Sequence, residues 1–159
     1  MNVVRGTTVD GPGLRTSIYF SGCRHACPGC HNPQSWDFNS GREISIEEIK
    51  DIILEEDFDV TFSGGDPLYQ PEILSELVTY AKSIGHTVWA YTGFTWEEIV
   101  INDILLNAIK DVDVIVDGRF MESMKDKDLL FRGSSNQRLI DVGKSIKEGM
   151  PVEYQKRIH

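Results

Sequence analysis

The chain has 159 residues, 40% of them hydrophobic and 26% charged, with a formal net charge of −9 at pH 7. This length and composition are typical of a single globular domain, here residues 1–159, that buries a core without disulfides. The acidic balance and the lack of any Lys/Arg run argue against nucleic-acid binding, which needs a basic surface to contact phosphates.

The N-terminal part of the chain predicts a strand and a loop, and no targeting segment. Residues 1–15 contain no apolar run of signal-peptide length, and no later stretch could span a bilayer, so we expect a cytoplasmic protein without membrane contact. Residues 16–20 predict the first strand. A Gly- and Cys-rich loop follows to about residue 39.

The next part of the chain predicts two helices separated by a strand. Ser45 and Glu48 form a capping-box pattern, and the helix that it opens runs to about Glu56. Residues 59–62 predict the second strand, which ends in the turn Ser-Gly-Gly-Asp-Pro. A proline at position 71 suits the first turn of the following helix, and Gly85 ends that helix.

The same alternation continues in the second half of the chain. Residues 87–91 predict the third strand. A capping-box pattern at residues 95–98 then opens a helix that runs irregularly to about residue 110. Residues 112–116 predict the fourth strand, which Asp117-Gly118 follow.

Alternating strands and helices predict an α/β fold with a mostly parallel sheet. A complete eight-unit barrel takes about 250 residues, so this chain has room only for an incomplete, open (β/α) barrel. We expect its core at about residues 14–118, and an irregular C-terminal segment at 119–159 with one short strand at 139–142.

The turns that follow the predicted strands are the candidate site. Ligands of parallel sheets bind at the carboxyl ends of the strands. If the strands are neighbours, four segments meet at this edge: the cysteine loop, the Gly64-Gly65-Asp66 turn, residues 91–93 and Asp117-Gly118. The sequence therefore predicts the functional site at the carboxyl edge of the sheet.

Three cysteines, Cys23, Cys27 and Cys30, lie within eight residues and are the only cysteines in the chain. Thiolates at this Cys-x3-Cys-x2-Cys spacing can bind three corners of an iron–sulfur cube. Because there is no fourth cysteine, one iron keeps an open position, as catalytic metals do. Two alternatives stay open: a zinc site completed by His25 or His31, and inert thiols without a metal.

The cysteine spacing after a first strand resembles the radical S-adenosylmethionine (SAM) superfamily. Residues 9–15 and 27–33 resemble segments of the activating enzymes of glycyl radical enzymes. Among these, the chain resembles in particular the activators of anaerobic ribonucleoside-triphosphate reductase, also at residues 63–68, 91–94, 116–120 and 131–138. Gly29 stands where many superfamily members have an aromatic residue, and Asp66 where they have Glu. Both variants resemble the reductase activators.

The resemblance implies an incomplete, open (β/α) barrel of radical SAM type that holds one 4Fe–4S cluster on the three cysteines and binds SAM as the second cofactor. SAM then chelates the open iron and is cleaved by one electron to methionine and a 5′-deoxyadenosyl radical. This radical abstracts a hydrogen atom from a glycine Cα on the large subunit of the reductase. A reduced flavodoxin- or ferredoxin-type protein is the implied electron donor.

Residues at the strand ends are the predicted SAM contacts, with the backbone of His31 near the adenine and the Gly64-Gly65 carbonyls near the SAM ammonium. The full set is Gly29, Cys30, His31, Gly64, Gly65, Asp66, Thr92 and Asp117. Three of these side chains have structural alternatives. Asp66 either holds its turn or contacts the ligand, Thr92 is equally typical of a loop, and Asp117 is equally typical of a turn cap.

Three other functions fit some of these motifs. One is an activator of another glycyl radical enzyme, such as pyruvate formate-lyase, and another is a radical SAM enzyme with a small-molecule substrate. The short chain argues against both, because the first are typically longer and an open barrel poorly encloses a small molecule. The third, from a different class, is a non-enzymatic zinc-binding interaction module.

Overall fold

A six-stranded sheet organises the protein, and the computed structural model describes residues 1–30, 37, 39 and 43–155. The strands lie side by side in chain order: β1 (Asn2–Thr7), β2 (Arg15–Phe20), β3 (Asp59–Gly64), β4 (Val88–Tyr91), β5 (Val114–Asp117) and β6 (Arg138–Asp141). Strands β2 to β5 pair in parallel, whereas β1 and β6 pair antiparallel at the two edges. Within these residues β1 does not pair with β6, so the sheet is open.

Five α-helices lie within the described residues: α1 (Ile46–Glu56), α2 (Pro71–Ser83), α3 (Trp96–Val100), α4 (Asp103–Ile109) and α5 (Val142–Glu148). Side-chain caps begin α1 and α3 where the sequence predicts them, at Ser45 and Thr95. Asn102 accepts hydrogen bonds from the first N–H groups of α4, which starts a new helix. The irregular helix predicted up to residue 110 is therefore two short helices. None of these helices has the length and apolar character to cross a membrane.

The two faces of the sheet pack against different partners because successive strand residues point to opposite faces. One face and the helices form the main core, which includes Ile18, Phe20, Phe62, Leu74, Leu77 and Ile115. The opposite face carries a smaller cluster formed by Trp89, Val114 and Val116, against which Phe131 and Tyr154 pack. The side chain of Tyr19 lies on this second face, towards the carboxyl edge.

Two elements were not predicted. Strand β1 is an edge strand with mostly exposed side chains, so it lacks the alternation that signals a half-buried strand. Helix α5 lies in the segment predicted to be irregular, where Asp141 accepts a hydrogen bond from the Lys144 N–H and caps it. The predicted mixed α/β fold with a mostly parallel, open sheet is confirmed.

Candidate functional site

The cysteine loop begins directly after β2 and contains a tight turn between its last two cysteines. The Cys30 N–H donates a hydrogen bond of 3.1 Å to the Cys27 carbonyl. Pro28 and Gly29 are the central residues, and Gly29 has φ +74°, as the third position of a type II turn requires. A Cβ on Gly29 would lie 3.0 Å from the Glu122 side chain. The backbone and the neighbouring loop therefore both favour glycine over an aromatic residue here.

The three thiols are half-buried, and none of them forms a disulfide. Burial raises the pKa of Cys23 to about 11 and also raises the pKa of Cys27. Backbone hydrogen bonds act in the opposite direction, from His25 on Cys23 and from Phe120 on Cys27. Because the thiolate is the metal ligand, metal binding must release the protons that the apo-protein holds at neutral pH.

The donor set fits three ligands of an iron–sulfur cluster. Within residues 1–30, 37, 39 and 43–155, no three His, Cys, Asp or Glu side chains are close enough to hold one metal ion. A cluster bound at three corners takes one thiolate per iron and does not need three sulfurs around a single ion. His25, one of the two predicted zinc ligands, instead contacts Asp66, at 2.7 Å.

The Gly64-Gly65 turn packs directly against the backbone that leads into the cysteine loop. The Gly65 N–H donates to the Phe20 carbonyl at 2.7 Å, and the Asp66 N–H donates to the Gly22 carbonyl at 2.9 Å. A Cβ on Gly64 would lie 2.4 Å from the Phe20 nitrogen, and one on Gly65 would lie 2.6 Å from the Gly22 oxygen. Both glycines are therefore required for this close approach of two backbones.

Asp66 connects the ends of β3 and β4 to the cysteine loop, and its side chain is 0% exposed. One carboxylate oxygen accepts from the Leu68 N–H. The other accepts from the Thr92 hydroxyl at 3.0 Å, from the Gly93 N–H at 2.9 Å and from His25 Nε2 at 2.7 Å. The Asp66 and Thr92 side chains thus have partners within the protein.

Asp117 has a similar position at the end of β5 and is 1% exposed. Its carboxylate accepts from the Trp96 N–H at 2.8 Å and from both the backbone N–H and the guanidinium of Arg138. Arg138 also pairs with Glu97 at 2.7 Å, and hydrogen bonds to these two carboxylates raise the pKa of Arg138. Asp117 therefore joins α3 and β6 to the carboxyl edge.

Two clefts lie beside the cysteine loop. The first, of about 610 Å³, is lined by Cys30, by strand-end residues Tyr19, Gly64 and Tyr91, and by residues of the loops at 8–10 and 129–133. We call it the Cys30 cleft. The second, of about 690 Å³, is lined by Cys27, Pro28, Asp117 and Arg119 among others, and we call it the Cys27 cleft.

The structure brings most of the predicted site residues together around the cysteine loop. Cys30 and Gly64 line one cleft, Cys27 and Asp117 line the other, and Asp66 and Thr92 are in direct contact. His31 lies outside the described residues. The cofactor contacts of these residues remain predictions.

Two residues near the site were not predicted: Asp10 and Tyr19. Tyr19 donates a hydrogen bond to Asp10, and both line the Cys30 cleft. Burial and the Asp10 carboxylate together raise the pKa of Tyr19. The available signals were the position of Tyr19 near the end of a strand and that of Asp10 within the segment at 9–15.

The chain is similar to known iron–sulfur proteins, and to one family of them in particular. Residues 9–140 match the family described as "4Fe-4S single cluster domain". Proteins named "Anaerobic ribonucleoside-triphosphate reductase-activating protein" match most of the chain. That of Salmonella typhi is 37% identical over 140 residues, covering 81% of this chain and 89% of the relative. That of Escherichia coli K12 is 35% identical and covers 81% of this chain and 89% of the relative. That of Enterobacteria phage T4 is 36% identical and covers 82% of this chain and 86% of the relative.

The chain belongs to the family of anaerobic ribonucleoside-triphosphate reductase-activating proteins. The resemblance inferred from the cysteine motif and the segments around it is thereby confirmed.

Proposed function

We propose that the protein is a radical SAM activating enzyme that generates the glycyl radical of an anaerobic ribonucleoside-triphosphate reductase. The observation that carries the proposal is the position of the thiols. Three cysteines without a fourth lie on the loop after β2, at the carboxyl edge of a parallel sheet, and Cys30 faces a cleft next to Gly64. Family membership supports the same function.

Cys23, Cys27 and Cys30 would hold the 4Fe–4S cluster as thiolates. Burial stabilises the protons that Cys23 and Cys27 must lose first. When bound, the cluster would supply one electron for the cleavage of SAM to methionine and a 5′-deoxyadenosyl radical, which would take a hydrogen atom from a reductase glycine and become 5′-deoxyadenosine. The electron comes from a reduced flavodoxin- or ferredoxin-type protein. The chain itself positions the reactants and excludes water.

SAM would occupy the Cys30 cleft, whose volume of about 610 Å³ lies in the usual range of ligand pockets. Gly29, Cys30, His31, Gly64 and Gly65 would contact it mainly through their backbones. The side chains of Asp66, Thr92 and Asp117 are held within the protein, and we retain these residues as supports of the site.

The protein would act on a loop of the reductase because its barrel of radical SAM type is incomplete. The sheet has four parallel strands and does not close among the described residues. An open flank of this kind admits a glycine-bearing loop of a large partner. We treat residues 1–159 as a single radical SAM domain with this opening.

The direct test is conversion of SAM to 5′-deoxyadenosine by anaerobically reconstituted, dithionite-reduced protein, with Cys30→Ala as the matched control. We expect product only with the wild-type protein, and a glycyl radical signal in electron paramagnetic resonance (EPR) spectra when the reductase is added. Purified protein that contains zinc and yields no 5′-deoxyadenosine would overturn the proposal in favour of a zinc-binding module.

A further inference from the structure

His25 lies between the first two cysteines of the loop, and its side chain is only 3% exposed. A polar loop residue without a function would more typically face solvent. Burial of an imidazole requires hydrogen-bond partners and closely packed neighbours, and three separate elements supply them here.

The imidazole is held at one end by a carboxylate. His25 Nε2 donates to Asp66 Oδ2 at 2.7 Å, and the same oxygen accepts from the Thr92 hydroxyl and the Gly93 N–H. Because these donors fix the carboxylate, they also fix the ring that donates to it. The contact joins the cysteine loop to the ends of β3 and β4.

Two aromatic rings and a backbone segment pack closely against the rest of the His25 imidazole. The Phe94 ring lies edge-on at a centroid distance of 4.7 Å, and the Tyr69 ring lies at 5.3 Å. A Cβ added to Gly93 would lie 2.5 Å from His25 Cδ2, so the backbone after β4 touches the imidazole directly. The ring is therefore closely confined by Phe94, Tyr69 and the backbone at Gly93.

The backbone on either side of the ring leads directly to the cysteines. The His25 backbone N–H favours the Cys23 thiolate. The next residue, Ala26, has φ +51°, a conformation that an L-residue holds only when its surroundings impose it. A fixed side chain at position 25 provides such a constraint.

We infer that His25 is a positioning residue for the metal centre, whose ring, locked to Asp66, fixes the loop backbone between Cys23 and Cys27. The inference rests on the proposed cluster site. Hydrogen bonds to cysteine ligands stabilise the more negative, reduced state of a cluster and so raise its reduction potential. Loss of the His25 contact should therefore lower the potential and loosen the cluster.

The test compares reconstituted wild-type protein with three variants. His25→Leu removes the donor, and His25→Gln places an amide N–H near the same carboxylate. Gly93→Ala pushes on the ring without replacing any residue of the cysteine loop. Gly143→Ala in α5 is the control, since its Cβ would meet nothing closer than 3.9 Å. The readouts are the rate of iron release to a chelator and the midpoint potential from an EPR-monitored titration.

We expect His25→Leu and Gly93→Ala to release iron about tenfold faster than wild type and to show a more negative potential. His25→Gln should recover most of both properties, and Gly143→Ala should match wild type. Unchanged release and potential in His25→Leu would overturn the inference. If that variant fails to fold, unchanged values in Gly93→Ala overturn it instead. Wild-type protein that holds no cluster would refute the proposed function itself, a distinct result.

Discussion

Burial and hydrogen bonding act in opposite directions on the Cys23 thiol. Burial is the larger effect and raises the pKa of Cys23 from 9.0 to about 11, although the His25 N–H favours the thiolate. Without a metal, the thiol therefore keeps its proton in the folded protein at pH values where an unfolded chain would release it.

This difference predicts a loss of apo-protein stability at alkaline pH. The contribution of Cys23 is complete below pH about 9, the unfolded value, and disappears as the pH rises through about 11. Urea unfolding of wild-type apo-protein and Cys23→Ser across this interval measures it. We expect the free-energy difference between the two proteins to shift against wild type as the pH rises. A constant difference would contradict the prediction.

Asp66 shows why a residue's role was harder to predict than its position. The sequence places it correctly after a strand, but leaves open whether it holds its turn or contacts a ligand. The answer depends on Thr92, Gly93 and His25, which are 26, 27 and 41 residues away along the chain. No local pattern encodes such partners.

At the scale of elements, the junction between β2 and β3 depends on glycines that allow two backbones to touch. Gly64 has φ +102°, and any Cβ there would also collide with the Phe20 backbone. Gly85, after α2, has φ +90° but nothing within 4 Å of the added Cβ. Substitutions at Gly85 and Gly64 therefore separate the free-energy cost of the backbone conformation from the cost of the steric collision.

We therefore expect Gly85→Ala to lower the free energy of unfolding by about 1 kcal/mol, the cost of the left-handed conformation alone. Gly64→Ala should lower it by about 3 kcal/mol, because a backbone collision is added. Urea denaturation of both apo-proteins measures the values. Equal losses in the two variants would show that the strands can separate without cost.

Elements with local signals were predicted well, and those without them were not. Ser45 and Thr95 begin α1 and α3 because capping depends on residues three apart. The division between α3 and α4 was missed because Asn102 follows a helical pattern that would otherwise continue. Strand β1 was missed because an exposed edge strand has no buried face to impose alternation.

At the scale of the whole molecule, Arg15 connects segments that are far apart in the chain. It is 1% exposed, and its guanidinium donates to the Thr61 hydroxyl, the Val60 carbonyl and the Thr87 carbonyl. It also donates to the Pro12 carbonyl, which holds the loop that carries Asp10. One side chain thus joins β2, β3, the start of β4 and the loop over the Cys30 cleft.

Arg15→Lys should lower the free energy of unfolding by about 2–4 kcal/mol, because one ammonium cannot reach all of these buried acceptors. The control is Arg5→Lys, since Arg5 pairs with Glu56 at the exposed edge of the sheet and the change should cost less than about 0.5 kcal/mol. Thermal and urea unfolding of the apo-proteins measure both. Similar losses in the two variants would refute this role of Arg15.

The spacing of the contacts around His25 along the chain determines when the cysteine loop becomes ordered during synthesis. Asp66 is 41 residues beyond His25, and Gly93 is a further 27 residues along. The ribosome therefore delivers all three cysteines well before the groups that hold their loop. We therefore expect the loop to take its ordered form only once β4 has been made and has paired with β3. We expect loading with iron and sulfide to be a late step in maturation, one that follows folding of the chain.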